Sequence, residues 1–146
     1  DKATVVTDTG IISDDILHRI DDSTLLVLEA NYDPHMLRFG PYQPFLKQRV
    51  ASDEGHLSNE MAAQALLMMK RPDFMQVILA HRSENNNNAV LVTQTIGKML
   101  VDGGVRIGPE MKLQHGQPNC VYAICKEVEY EILCNLYWQT KRCLLT

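Results

Sequence analysis

At 146 residues the chain is long enough for one domain with a real core. Its 45% hydrophobic and 22% charged shares exclude a disordered segment, and no run approaches the roughly 18–20 apolar residues that span a bilayer. A formal charge of -4 excludes a general polycation, so any contact with phosphates rests on a local basic patch or a metal ion.

The chain opens on Asp1-Lys2 and a short β-branched run, Ala3–Thr7, which reads as a buried strand. No charged n-region, apolar h-region and cleavage site precede it, so a cytoplasmic location is the expectation. Asp8-Thr9-Gly10 is a turn. Ser13 then caps a short helix, Asp14–Ile20, whose first-turn acids suit the helix dipole. Residues 24–28 form a second buried strand, ending at Glu29. Residues 31–39 read as a loop and short helix closed by Gly40-Pro41, and Pro44–Val50 as a further helix carrying Lys47 and Arg49.

Ser58 caps the next helix, with Glu60 in its first turn and a broad apolar face built from Ala62, Ala63, Ala65, Leu66, Leu67 and Met69. Arg71-Pro72-Asp73 breaks it. A third strand runs to His81. The asparagines at 85–88 read as a polar loop, followed by a helix over about 89–101 that Asp102-Gly103-Gly104 ends. Met111-Lys112-Leu113 is a candidate edge strand.

The order β-α-β-α-α-β-α predicts an α/β layered fold. The composition shifts after about His115, which divides the chain into 1–115 and a Cys-rich tail, 116–146. All four cysteines fall after Asn119 and none forms a C-x-x-C pair, so reduced thiols are expected rather than a zinc finger. Residues 127–138 are a candidate helix with a poor apolar pattern.

Two strand ends carry the residues with the most chemistry. Asp8 follows the first strand and His81 the third. A carboxylate oxygen and an imidazole nitrogen are the donors a divalent metal needs to activate water, and a carboxylate can bridge two ions. An Asp in a D-T-G turn is equally accounted for as a turn former, and a histidine at a strand end is similarly ambiguous. In Gly55-His56-Leu57-Ser58-Asn59, His56 stands at a helix entrance. It can act as a general acid, as a ligand, or as a plain hydrogen-bonding loop residue. Gly55 there allows close backbone approach or an unusual dihedral. Glu29 can orient His56 by accepting its second N–H, or can be a solvated or ion-paired strand-end acid. Lys47 and Arg49 can contact a phosphate chain or simply be solvated. Ser83 to Asn86 can cap the next helix near the site. His18 and His35 read as structural or exposed, and His115 is undecided.

In order along the chain, Thr7-Asp8-Thr9-Gly10, Glu29-Ala30-Asn31-Tyr32-Asp33, Gly55-His56-Leu57-Ser58-Asn59-Glu60 and the run from Leu79 to Asn86 resemble the C-terminal half of a metallo-β-lactamase-fold hydrolase. The nearest branch is that of the bacterial metal-dependent hydrolases and exonuclease-like phosphodiesterases. The match covers about residues 1–115. The resemblance implies half of an αβ/βα sandwich, with a mixed sheet and flanking helices. It implies that Asp8 bridges two metal ions, zinc or manganese, and that His81 is the last metal-binding histidine. Glu29 and His56 are similar to a proton-donating pair in tRNA 3′-processing nucleases. The implied substrate is a phosphodiester, such as a nucleic-acid bond.

The family's H-x-H-x-D-H motif is absent, as is the further histidine before the equivalent of Asp8. The chain is therefore expected to hold only part of such a site and to have little activity alone. A homo-oligomer, or pairing with a missing N-terminal half, is the expected assembly, and no membrane partner is expected. The alternative from a different class is a non-catalytic α/β binding or assembly module.

Overall fold

The computed structural model describes residues 1–116 and the backbone of Glu131–Cys134. Its elements, in chain order, are β1 (Ala3–Thr7), α1 (Asp14–Ile20), β2 (Leu25–Glu29), α2 (Pro34–Phe39), α3 (Pro44–Val50), α4 (Asn59–Met68), β3 (Met75–Ala80), α5 (Ala89–Asp102), β4 (Met111–His115) and β5 (Glu131–Cys134).

The strands form one sheet in the order β4-β3-β2-β1-β5. The α/β class with flanking helices is the one expected. The expected mixture of strand directions is not found: among the described residues all four pairings are parallel. The helical segments between β1, β2, β3 and β4 carry the chain back across the sheet each time, so every strand runs the same way. The candidate edge strand at 111–113 is β4, and it does lie at the edge. Within the candidate helix at 127–138, residues Glu131–Cys134 are instead a strand beside β1. A short continuous apolar run of this kind fits a parallel strand better than a helical period. The rest of that helix, and Cys120, Cys125 and Cys143, lie outside the described residues.

The period of two along each strand sorts its side chains into two faces. Val6, Leu26, Leu28, Val77 and Leu79 pack under α4 and α5, with Ala62, Ala63, Leu66, Val92, Ile96 and Leu100 closing the main core. Val5, Val27, Ile78 and Ala80 form a smaller cluster on the opposite face. The small side chains of Ala62, Ala63 and Ala65 let α4 lie close to the sheet. Helix starts are satisfied by side chains: Ser58 accepts from the Met61 N–H at 3.1 Å, Asp33 from the Met36 N–H at 2.8 Å and Asn88 from the Leu91 N–H at 3.0 Å. No helix among the described residues is long and apolar enough to cross a membrane.

The parallel direction decides where function can sit. The C-terminal ends of β1, β2 and β3 open on one edge of the sheet, with Val6 opposite Leu28 and Glu29 opposite Ala80. Open parallel sheets bind their ligands outside such carboxyl ends.

Candidate metal centre

Three loops meet at that edge. β2 continues past Glu29, and its extension pairs on both sides. Ala30 donates to the Ala80 carbonyl at 3.0 Å, while the Asn31 N–H donates to the Leu57 carbonyl and the Asn59 N–H to the Tyr32 carbonyl, both at 2.9 Å. The loop carrying His56 is thereby stitched beside Glu29, as is the end of β3 that leads to His81.

Asp8 and His81 both adopt left-handed backbone, with φ of 58° and 53°. Asp and His tolerate this region better than branched residues, yet it costs roughly 1–3 kcal/mol. Each strand, β1 ending at Thr7 and β3 at Ala80, passes into this sharp turn at the next residue, and the turned residue carries a side chain able to bind a metal.

Glu29 is the hub. Its side chain is fully buried. Oε1 lies 2.7 Å from His56 Nδ1 and 2.7 Å from His81 Nδ1, and Oε2 accepts the Thr9 N–H at 3.2 Å. A carboxylate only accepts, so both rings carry hydrogen on Nδ1 and leave Nε2 as the free nitrogen. The two rings stand edge to face with centroids 5.0 Å apart. Asp8 Oδ1 lies 3.7 Å from His81 Nδ1. Burial raises the Glu29 carboxyl, but the hydrogen bonds and charges of His56 and His81 outweigh this and hold it below its ordinary value. The hydrogen bond to Glu29 raises His81 above the ordinary imidazole value; burial opposes this, and the charges of Glu29 and Asp8 reinforce it.

Asp8, His56 and His81 each offer a ligand atom, and these atoms lie within 4.8 Å of one another. One carboxylate oxygen and two imidazole nitrogens, with the imidazoles backed by a carboxylate, suit a divalent metal ion. All four residues expected from the sequence are thus brought together. What changes is their grouping: Glu29 supports His81 as closely as it supports His56, and His56 clusters with Asp8 and His81.

Polar residues that the sequence reading did not single out hold the loops. Asn31 Nδ2 donates to the His81 carbonyl at 2.6 Å, while its own carbonyl accepts the Ser83 N–H at 2.9 Å. Asn87 and Asn59 exchange side-chain amide hydrogen bonds at 2.8 and 3.1 Å, and Asn87 also donates to the Ala30 carbonyl. The asparagine run is therefore not a plain polar loop: Asn86 and Asn87 are buried and Asn88 caps α5. The cap of α5 comes from Asn88 and not from Ser83 to Asn86; Ser83 Oγ instead accepts the Asn86 N–H. Position offers the one available signal, since Asn31 and Asn59 follow Glu29 and His56 by two and three residues. Gly10 and Gly55 serve close approach. A Cβ on Gly10 would lie 1.8 Å from the Ser52 carbonyl oxygen, and one on Gly55 2.3 Å from the Arg49 and Val50 carbonyls. Of the other expected residues, His115 is apart from the cluster, its Nε2 lying 2.6 Å from Thr93 Oγ1. His18 lies beside Asp21 and His35 against Phe39.

No family model matches the chain, and no solved structure matches it. Among curated proteins it is similar to the exodeoxyribonuclease YycJ of Bacillus anthracis, with 33% identity over 117 residues, 80% of this chain and 44% of the relative. It is also similar to the exodeoxyribonuclease WalJ of Streptococcus pneumoniae strain D39, with 35% identity over 120 residues, 82% of this chain and 45% of the relative. The chain thus spans less than half the length of the curated relatives it matches.

Proposed function

We propose that the chain carries part of the active site of a metallo-β-lactamase-fold, metal-dependent hydrolase that cleaves phosphodiester bonds in DNA. One observation carries this reading: histidines from two separate loops hydrogen-bond one buried carboxylate oxygen, with Asp8 beside them. Similarity to exodeoxyribonucleases supports DNA as the substrate class.

In this reading Asp8 and His81 are metal ligands, His56 is the general acid and Glu29 orients both rings. A divalent ion, zinc or manganese and two in the complete site, supplies when bound Lewis acidity toward the phosphoryl oxygen and a more acidic water. The remaining work is the chain's own. Glu29 fixes each Nδ1–H and so aims each Nε2 outward. When His56 is protonated at Nε2, the carboxylate stabilises the imidazolium until that proton passes to the oxygen leaving phosphorus. Asp8 and His81 are too few to hold two ions, so in this reading the site is completed by further residues, from a second copy or from another segment.

A second reading is favoured by the closeness of Asp8, His56 and His81: His56 is a third ligand rather than the acid. Calorimetric titration with manganese and zinc separates the two. Both readings expect Asp8→Ala and His81→Ala to lose binding. His56→Ala keeps it in the first reading and loses it in the second. A wild-type chain that binds neither metal, or binding indifferent to Asp8→Ala and His81→Ala, would overturn the hydrolase reading. The chain alone is expected to turn over a chromogenic phosphodiester poorly. Turnover at an ordinary enzymatic rate, lost in Asp8→Ala, would show that the site needs no completion.

A further inference from the structure

Between Asp33 and Asp53 the chain has no acidic residue, yet it carries Arg38, Lys47 and Arg49, against a formal charge of -4 for the whole. This stretch is the α2–α3 hairpin, built over Tyr32, Leu37 and Val50. None of its three cations forms an ion pair among the described residues. Phe39 and Phe45 are 68% and 71% exposed. Phe39 touches the His35 ring, with centroids 4.6 Å apart, yet both phenylalanines stay mostly exposed within one acid-free hairpin.

The rings and cations are neighbours. The Arg38 guanidinium lies 5.3 Å from the Phe39 ring centroid. Lys47 Nζ donates to the Arg38 carbonyl at 2.7 Å and ties α3 to the end of α2. Phe45 and Arg49 are four residues apart on α3 and share a helix face.

The hairpin is also anchored to the loops of the metal centre. Its last carbonyl, that of Val50, accepts the His56 N–H at 2.9 Å. The Asp33 N–H donates to the Asn86 carbonyl at 2.8 Å, and Asn85 Nδ2 reaches the Tyr42 hydroxyl at 3.4 Å.

We propose that the α2–α3 hairpin is a platform for single-stranded DNA. Unpaired bases stack on Phe39 and Phe45, and the adjoining phosphates pair with Arg38, Lys47 and Arg49. The platform delivers the strand to the neighbouring Glu29–His56–His81 cluster. The choice of DNA rests on the hydrolase reading above; the choice of a single strand rests on the rings. A duplex keeps its base faces stacked on one another and can use the cations but not the phenylalanines.

The test is fluorescence anisotropy of a fluorescein-labelled single-stranded oligothymidylate with the 146-residue chain in EDTA, where binding is separated from hydrolysis. Phe39→Ala and Phe45→Ala are each expected to weaken binding roughly 5- to 100-fold, while Phe39→Trp and Phe45→Trp retain it. Lys47→Ala is expected to weaken binding and to flatten its salt dependence by about one phosphate contact. A duplex of equal length should bind more weakly and ignore the phenylalanines. No binding by the wild type, alanine variants that bind like it, or leucine replacing phenylalanine as well as tryptophan does, would each overturn the platform. If metal binding fails while the phenylalanine effects hold, the hydrolase reading falls and the platform stands; the reverse result rejects the platform alone.

Discussion

Glu29 Oε1 lies 2.7 Å from His81 Nδ1, although the two residues end different strands and are 52 positions apart. The register of β2 on β3, with Glu29 opposite Ala80, makes this contact: one residue further along β3 is His81, turned back by its left-handed backbone. The same oxygen meets His56 Nδ1. A buried carboxylate with two imidazole donors and one backbone donor is fully partnered, which is why its charge is tolerated inside the fold.

Replacing that charge should be costly in two ways. In Glu29→Gln one amide end faces the Thr9 N–H or a ring N–H as a second donor. The chain is expected to lose about 1.5–3 kcal/mol of stability by urea unfolding. Metal affinity should fall about 10- to 100-fold, because the rings lose the acceptor that orients them. Unchanged affinity for manganese and zinc would remove Glu29 from the site.

The direction of the two shifts sets a pH window for the metal-free chain. Glu29 is held below its ordinary value, so its contribution is present above that value and lost as pH falls through the folded one. His81 is raised, so its contribution is present below the ordinary imidazole value and lost as pH rises through the folded one. Urea midpoints in EDTA should therefore peak in the mildly acidic range between the ordinary carboxylate and imidazole values. The peak should flatten in Glu29→Gln. Metal affinity should rise with pH through the same His81 titration, since the proton and the ion compete for the ring. A profile identical in wild type and Glu29→Gln would contradict the pairing.

Asp8 separates backbone strain from ligation. Asparagine tolerates left-handed backbone as aspartate does, whereas alanine does not. Asp8→Asn should unfold near the wild-type midpoint, and Asp8→Ala about 1 kcal/mol earlier, while both lose metal binding. Equal metal affinity in Asp8→Asn and wild type would show that the carboxylate is not a ligand.

The asparagine run tests itself. Asn87→Ala strips partners from the buried Asn59 side chain and from the Ala30 carbonyl, and should cost about 2–3 kcal/mol. Asn85→Ala, at the exposed start of the run, should stay within about 0.5 kcal/mol. Equal effects in thermal melts would return the run to a plain polar loop.

Much of this was legible in the sequence, because local physics decides it. The β-branched run at Ala3–Thr7, the Ser13 and Ser58 caps and the proline at 72 mark elements through side-chain stiffness, orphan N–H groups and a missing donor, none of which needs a partner far away. The same locality put Asp8, Glu29 and His81 at strand ends. The tertiary structure alone decided the rest. Strands β1 to β4 are parallel because each connection between them returns the chain to the same end of the sheet, and no single strand encodes that direction. Burial of Asn87 depends on β2 and α4 arriving beside it, and that of Asn86 on the ends of α2, so a polar tetrad reads as solvated until those elements are in place. The bond from Glu29 to His81 depends on the register of β2 on β3, and a one-residue slip would turn the Glu29 side chain to the other face.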